Sequence, residues 1–85
     1  MGLSETTFVE LVVWRLPAPL AGSSHQSKYR PALVDTGVCV LRYDNEAGKG
    51  DHKHLGPVEL HYPFRGVDAL MTNFWADVEI WRRQI

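Results

Sequence analysis

A single cysteine, Cys39, stands in a chain of 85 residues, and one cysteine cannot close an intramolecular disulfide. Small secreted domains ordinarily depend on several, so the composition points to a reducing, intracellular setting. Long apolar runs are missing too. No window approaches the ~18 consecutive apolar residues of a membrane-spanning helix, and residues 1–7 carry neither the basic start nor the apolar stretch of a secretory signal. Neither export nor contact with a membrane is expected. Charge of one sign is also lacking: nine Lys and Arg stand against ten Asp and Glu, which leaves no global field for non-specific capture of duplex nucleic acid or an anionic bilayer. There is no internal repeat and no low-complexity run, although residues 17–27 are rich in Pro, Ala, Gly and Ser and read as a loop.

What is present is enough for one compact domain, residues 1–85, and no more. At this length roughly 60–65% of the unfolded surface is buried on folding, so nearly every large apolar side chain is needed for the core. Residues 6–16 are dense in β-branched and aromatic types and end at Pro17, which predicts a strand. Phe8, Val12 and Trp14 fall on one of its faces and Val9, Leu11 and Val13 on the other, which predicts burial on both sides, inside the sheet or under a helix. Residues 29–35 and 38–44 flank Thr36-Gly37 as a hairpin, with Gly37 able to take the positive φ of a tight turn. Pro31, without an N–H, belongs at an edge or a bulge. Residues 45–51 read as a turn-rich loop, and 58–64 as a further strand with Val58, Leu60, Tyr62 and Phe64 on one face.

From Gly66 onward the period becomes helical: Val67, Leu70, Met71, Phe74, Trp75, Val78, Trp81 and Ile85 recur at i, i+3, i+4, i+7. Rings at that spacing are core rather than a platform for bases, and Cys39, between two valines, is expected to be a small buried hydrophobe. The fold class is α+β, with about four mainly antiparallel strands and one C-terminal amphipathic helix packed on one face. A histidine-bearing loop is expected at one end of the central hairpin. The open sheet face, with Val9, Leu11 and Val13, needs a cover, for which a homodimer is the expected solution.

Chemistry concentrates in residues 41–54, where three cations, three carboxylates, a tyrosine and two histidines share fourteen positions. Such density serves either a solvated hairpin tip or a site. In extended chain His52 and His54 project to one face, where Arg42 and Lys49 can join them. One chemistry that uses this group is metal-free RNA cleavage: His52 and His54 exchange protons with the 2′-OH and the leaving 5′ oxygen, while Arg42, Lys49 and Lys53 hold phosphate. Another is a metal site in which His-x-His is supplemented by Asp44, Glu46 or Asp51; it lacks the thiolates or third clustered histidine of a zinc centre, and no cofactor is expected. A third possibility is a non-enzymatic module that contacts a protein through this segment. His25 and His61 read as surface histidines.

Leu41-Arg42-Tyr43-Asp44-Asn45-Glu46, a glycine-containing turn, Asp51-His52-Lys53-His54, Tyr62-x-Phe64 and Phe74-Trp75-Ala76-Asp77-Val78 together resemble the TumE-type toxins of type II toxin–antitoxin pairs. The resemblance runs from about residue 29 to residue 81. It implies a small cytoplasmic toxin with a helix-turn-helix antitoxin as cognate partner and RNA as a candidate substrate. It singles out Tyr43, Asp44, Asn45, Glu46, Asp51, His52 and His54 as motif residues. On these grounds His52, His54, Tyr43 and Glu46 are the expected catalytic residues. Arg42, Lys49, Lys53, Asn45, Asp44 and Asp51 are the expected substrate-binding residues.

Overall fold

The computed structural model describes residues 2–18, 27–46 and 50–84. Seven strands and one helix follow in chain order: β1 (Thr7–Glu10), β2 (Val13–Arg15), β3 (Ser27–Tyr29), β4 (Ala32–Asp35), β5 (Val38–Glu46), β6 (Gly50–Leu55), β7 (Val58–His61) and α1 (Val67–Arg83). The 3.6-residue period after Gly66 becomes α1 as expected, with Leu70, Phe74 and Val78 buried along its inner stripe. Asp68 lies in the first turn and Arg82 and Arg83 in the last, as the macrodipole favours. Gly66, at φ 112, takes a conformation at the helix start that side chains rarely adopt.

Five strands form an antiparallel sheet in the order β1-β4-β5-β6-β7, and β2 and β3 pair separately. The α+β class, the antiparallel sheet and the C-terminal helix are as predicted, but the strand count is not. Two features account for the difference. The single strand expected over residues 6–16 is two strands, yet Glu10 opposite Ala32 and Val13 opposite Tyr29 keep one register. The ladder is interrupted where Pro31 falls: it has no N–H to give, its carbonyl accepts from the Tyr43 N–H at 3.0 Å, and the Arg30 N–H bridges the gap to the Val12 carbonyl at 2.6 Å. The second feature is β6. Expected as loop, it is an interior strand paired with β5 on one side and β7 on the other.

The hairpin between β4 and β5 turns on Thr36 and Gly37, both at positive φ (50 and 78), the combination that matches strand twist in a two-residue connection. A bulge follows it. Leu33 faces Leu41 but Val34 faces Cys39, so Val40 is the extra residue and Cys39 is thrown onto the face opposite Leu41. That is why Cys39 is exposed, contrary to the expectation of burial, while Val40 packs against the core.

The core is Val9, Tyr29, Leu33, Leu41, Tyr43, Tyr62, Leu70, Phe74 and Val78, with Trp75 and Trp81 packed against its margin. The aromatic stripe of α1 therefore serves packing. Burial of residues 6–16 is one-sided rather than two-sided: Val9 is internal, whereas Phe8, Leu11, Val13 and Trp14 are exposed, because β1 is an edge strand and β2 lies outside the main sheet. The three residues expected to invite a homodimer thus do not form one open patch. Val58 and Leu60 are also exposed, since β7 is the other edge; its strand ends at His61, short of the expected Phe64. Among the described residues no helix is long and apolar enough to cross a membrane.

Candidate active site

Register assembles the site. Across β5 and β6, Arg42 is paired with His54 and Asp44 with His52; across β6 and β7, His54 is paired with Glu59 and His52 with His61. Directly paired residues share a face, so all six belong to the sheet face turned away from α1. The imidazoles of His52 and His54 lie 6.5 Å apart, centre to centre, with their planes inclined at 55°.

Three charge contacts order this group. Arg42 Nε lies 3.0 Å from Asp44 Oδ2, and His54 Nε2 lies 3.6 Å from Asp44 Oδ1. His52 Nδ1 lies 3.3 Å from Glu59 Oε1. Asp44 is only 4% exposed, which makes it a buried carboxylate held between a guanidinium and an imidazole. The Arg42 contact is an ion pair without an aligned hydrogen bond, and His52 Nε2 is shielded from solvent with no hydrogen-bond partner among the described residues.

The same face continues past β5. Tyr29 turns toward the α1 side, where its ring stacks on Phe64 at 5.1 Å and its hydroxyl donates to Asp51 Oδ1 at 2.6 Å. Alternation therefore gives Lys28 and Arg30 to the histidine side. Trp14, the cross-strand partner of Lys28, shares that side and is 49% exposed. The Lys28 ammonium donates to the Asn45 carbonyl.

The remaining residues expected in the site divide differently. Tyr43 is buried on the α1 side, where its hydroxyl donates to the Asp77 carboxylate and lies 3.3 Å from the Asn73 carbonyl. Lys53 is beside it, with Nζ 3.3 Å from Asp77 Oδ2 and 5.6 Å from the centre of the Tyr43 ring. Asn45 is fully buried. Its carboxamide joins β5 to β3: Oδ1 accepts from the Tyr29 N–H at 3.0 Å and Nδ2 donates to the Ser27 carbonyl at 2.6 Å. Asp51 receives the Tyr29 hydroxyl. Lys49 and His25 lie outside the described residues, as does the side chain of Glu46. The structure thus brings Arg42, Asp44, His52 and His54 together and assigns Tyr43, Asn45, Asp51 and Lys53 to the opposite face. Glu59 and Trp14 were not anticipated, because an acid in an edge strand and one more aromatic in an apolar run carry no local signal. Among the described residues no group of three or more His, Cys, Asp or Glu side chains is arranged to hold a metal ion.

Burial, followed by the acceptor carboxylates Asp51 and Asp77, raises the phenol pKa values of Tyr29 and Tyr43 well above their ordinary value. An acid whose folded pKa is raised stabilises the fold fully below its unfolded pKa, ~10 for tyrosine, and loses that contribution as pH climbs above it. Urea unfolding between pH 9 and 11.5 should show stability falling by up to about 1.4 kcal/mol per pH unit for each phenol. Tyr43→Phe should remove one share of the slope. An unchanged slope in Tyr43→Phe would contradict the assignment.

Residues 3–82 match the family model described as Toxin TumE. No curated protein and no solved structure gives a significant match.

Proposed function

The chain belongs to the TumE toxin family, and from that premise we propose that it is the toxin of a type II toxin–antitoxin pair and acts as a metal-independent ribonuclease. The observation that carries the reading is the pair of imidazoles 6.5 Å apart on one sheet face, flanked by Arg42 and by two carboxylates.

The division of labour follows from the contacts. Glu59 faces His52 Nδ1 and orients this ring beside His54. His52 takes the proton of a ribose 2′-OH, O2′ bonds to the adjacent phosphorus, and the bond from phosphorus to O5′ breaks. His54, whose protonated form has the Asp44 carboxylate beside it at 3.6 Å, returns a proton to O5′. The products are a 2′,3′-cyclic phosphate and a 5′-hydroxyl. Arg42, at the same row of the sheet as His54, stabilises the negative charge that develops on the phosphoryl oxygens. Lys28 and Arg30 extend the cationic character of this face and take the role that Lys53, tied to Asp77 on the other side, does not fill. The cognate partner is a helix-turn-helix antitoxin, and the site of action is the cytoplasm.

His52→Ala and His54→Ala test this. Each should lower RNA cleavage by about 10²–10⁴-fold and relieve growth inhibition while the circular dichroism spectrum stays that of the parent, because both rings lie outside the core cluster. Cleavage in EDTA should equal cleavage without it. Undiminished cleavage in both variants would overturn the reading. Loss of activity in EDTA, restored by a divalent ion, would favour a metal-dependent hydrolase. A protein that binds its antitoxin yet leaves RNA intact under every condition would be a non-enzymatic binding module.

A further inference from the structure

We propose that Trp14 is a stacking platform for a base of single-stranded RNA, and that Lys28 and Arg30 guide the strand from that platform to the histidine pair. The inference rests on the ribonuclease reading of this face and adds a specificity-determining residue at some distance from the reacting phosphate. Three observations carry it. Trp14 leaves about half of its surface open, 49%, in a chain whose other two tryptophans pack against the core. An indole so exposed lowers solubility without adding to the interior, and a half-open ring beside cations is the arrangement that single-strand binders use.

The second observation is the direction of the ring. Trp14 is paired with Lys28 in the β2–β3 ladder, and the constant register across the Pro31 interruption keeps Trp14 on the same side as Ala32, Arg42 and His54. From Trp14 to His52 the path crosses β3 and β5, a distance on the order of 15 Å at the usual spacing of strands, which a few nucleotides of extended strand cover.

The third observation is charge. Lys28 donates to a neutral carbonyl, that of Asn45, so its ammonium is not neutralised by that contact. Of the described acids of this face, Asp44, on the path at β5, is buried against Arg42 and His54, Glu59 is on β7 against His52, and Glu10 is opposite Ala32. Between the indole and the imidazoles stand the cations Lys28 and Arg30, which suit a phosphodiester chain and do not suit an apolar protein helix. The face recognises a single strand with a stacked base, since a ring standing beside a flat sheet has no access to the bases of a duplex.

The experiment is fluorescence anisotropy with the full chain and a fluorescein-labelled mixed-sequence oligonucleotide of 2′-O-methyl RNA, which has no free 2′-OH to attack. Trp14→Ala should weaken binding by roughly tenfold or more, and Trp14→Phe, which keeps a ring, should stay within about threefold of the parent. Lys28→Ala should reduce the slope of log affinity against log salt by about 0.7, the value for one phosphate contact to a single strand, whereas Trp14→Ala should leave the slope unchanged. Leu60→Ala, exposed on the α1 side of the sheet, should change neither. If the parent chain binds and cleaves RNA and Trp14→Ala binds equally well, the platform is wrong and the ribonuclease reading stands. If the parent chain cleaves RNA and does not bind the oligonucleotide, the platform fails and the ribonuclease reading stands; if it neither binds nor cleaves, both fail. If Trp14→Ala loses affinity for the antitoxin and keeps its affinity for RNA, the ring belongs to a protein interface and the proposal is overturned.

Discussion

Phe74→Ala is expected to lower the free energy of unfolding by about 3–5 kcal/mol. Phe74 is wholly buried at the middle of the inner stripe of α1, between Leu70 and Val78, and its ring meets Tyr43 edge-on at 5.9 Å and Trp75 at 5.7 Å. Truncation removes the transfer free energy of the ring, the edge-to-face contacts and the close packing of a helix that covers the sheet from one side only. Collapse around the missing ring is limited, because Tyr43 is held by its hydrogen bond to Asp77 and cannot swing inward without breaking it. A domain of this size has about 5–10 kcal/mol to lose, so the variant should be partly unfolded at 37 °C. Chemical denaturation in urea measures this directly. A loss under about 1 kcal/mol would mean that α1 is not the main cover of the sheet.

Replacing Asn45 by alanine should cost about 2–4 kcal/mol, although no apolar surface is lost. Its carboxamide is the connection between β5 and β3 at the point where β4 has ended, and it satisfies one N–H and one C=O of β3 at once. Without it the buried Tyr29 N–H and the part-buried Ser27 carbonyl each lose the hydrogen bond to the carboxamide, and a buried group so deprived costs about 1–3 kcal/mol. Asn45→Asp should not rescue the fold. The carboxylate can still accept from Tyr29 but turns an oxygen toward the Ser27 carbonyl, and it brings a charge into the interior. Amide hydrogen exchange at Tyr29, together with urea unfolding, reads the effect. Wild-type stability with lost RNA binding would return Asn45 to the substrate-binding role that its position in the motif had indicated.

These two residues also mark how far the sequence could be read. Phe74 was legible because a helix repeats its buried face every three to four residues over a long stretch, and seventeen residues of consistent period leave little ambiguity. The Thr36-Gly37 turn was legible because few residues tolerate positive φ. β6 was not. Gly50–Leu55 is polar on both faces, since Asp51 and Lys53 are satisfied by Tyr29 and Asp77 on the covered side and the histidines occupy the other. An interior strand without an apolar face has no hydrophobic period to announce it. The division of residues 6–16 was hidden for another reason: its cause, Pro31, is distant in sequence and acts only through the ladder. The site was legible in part. Spacing of two put His52 and His54 on one face and Arg42 with them, but the same rule, applied to a strand rather than a loop, sends Tyr43, Asn45, Asp51 and Lys53 to the other.

That alternation divides responsibility by parity. Along β5 and β6 the odd-numbered side chains, Leu41, Tyr43, Asn45, Asp51 and Lys53, decide whether the chain holds its shape. The even-numbered ones, Arg42, His52 and His54, lie on the other face, part-exposed and outside the core cluster, with Asp44 buried among them. A ribbon so partitioned is a chassis: the tools on one side can be altered without disturbing the packing on the other, provided that Asp44 keeps a cation for company.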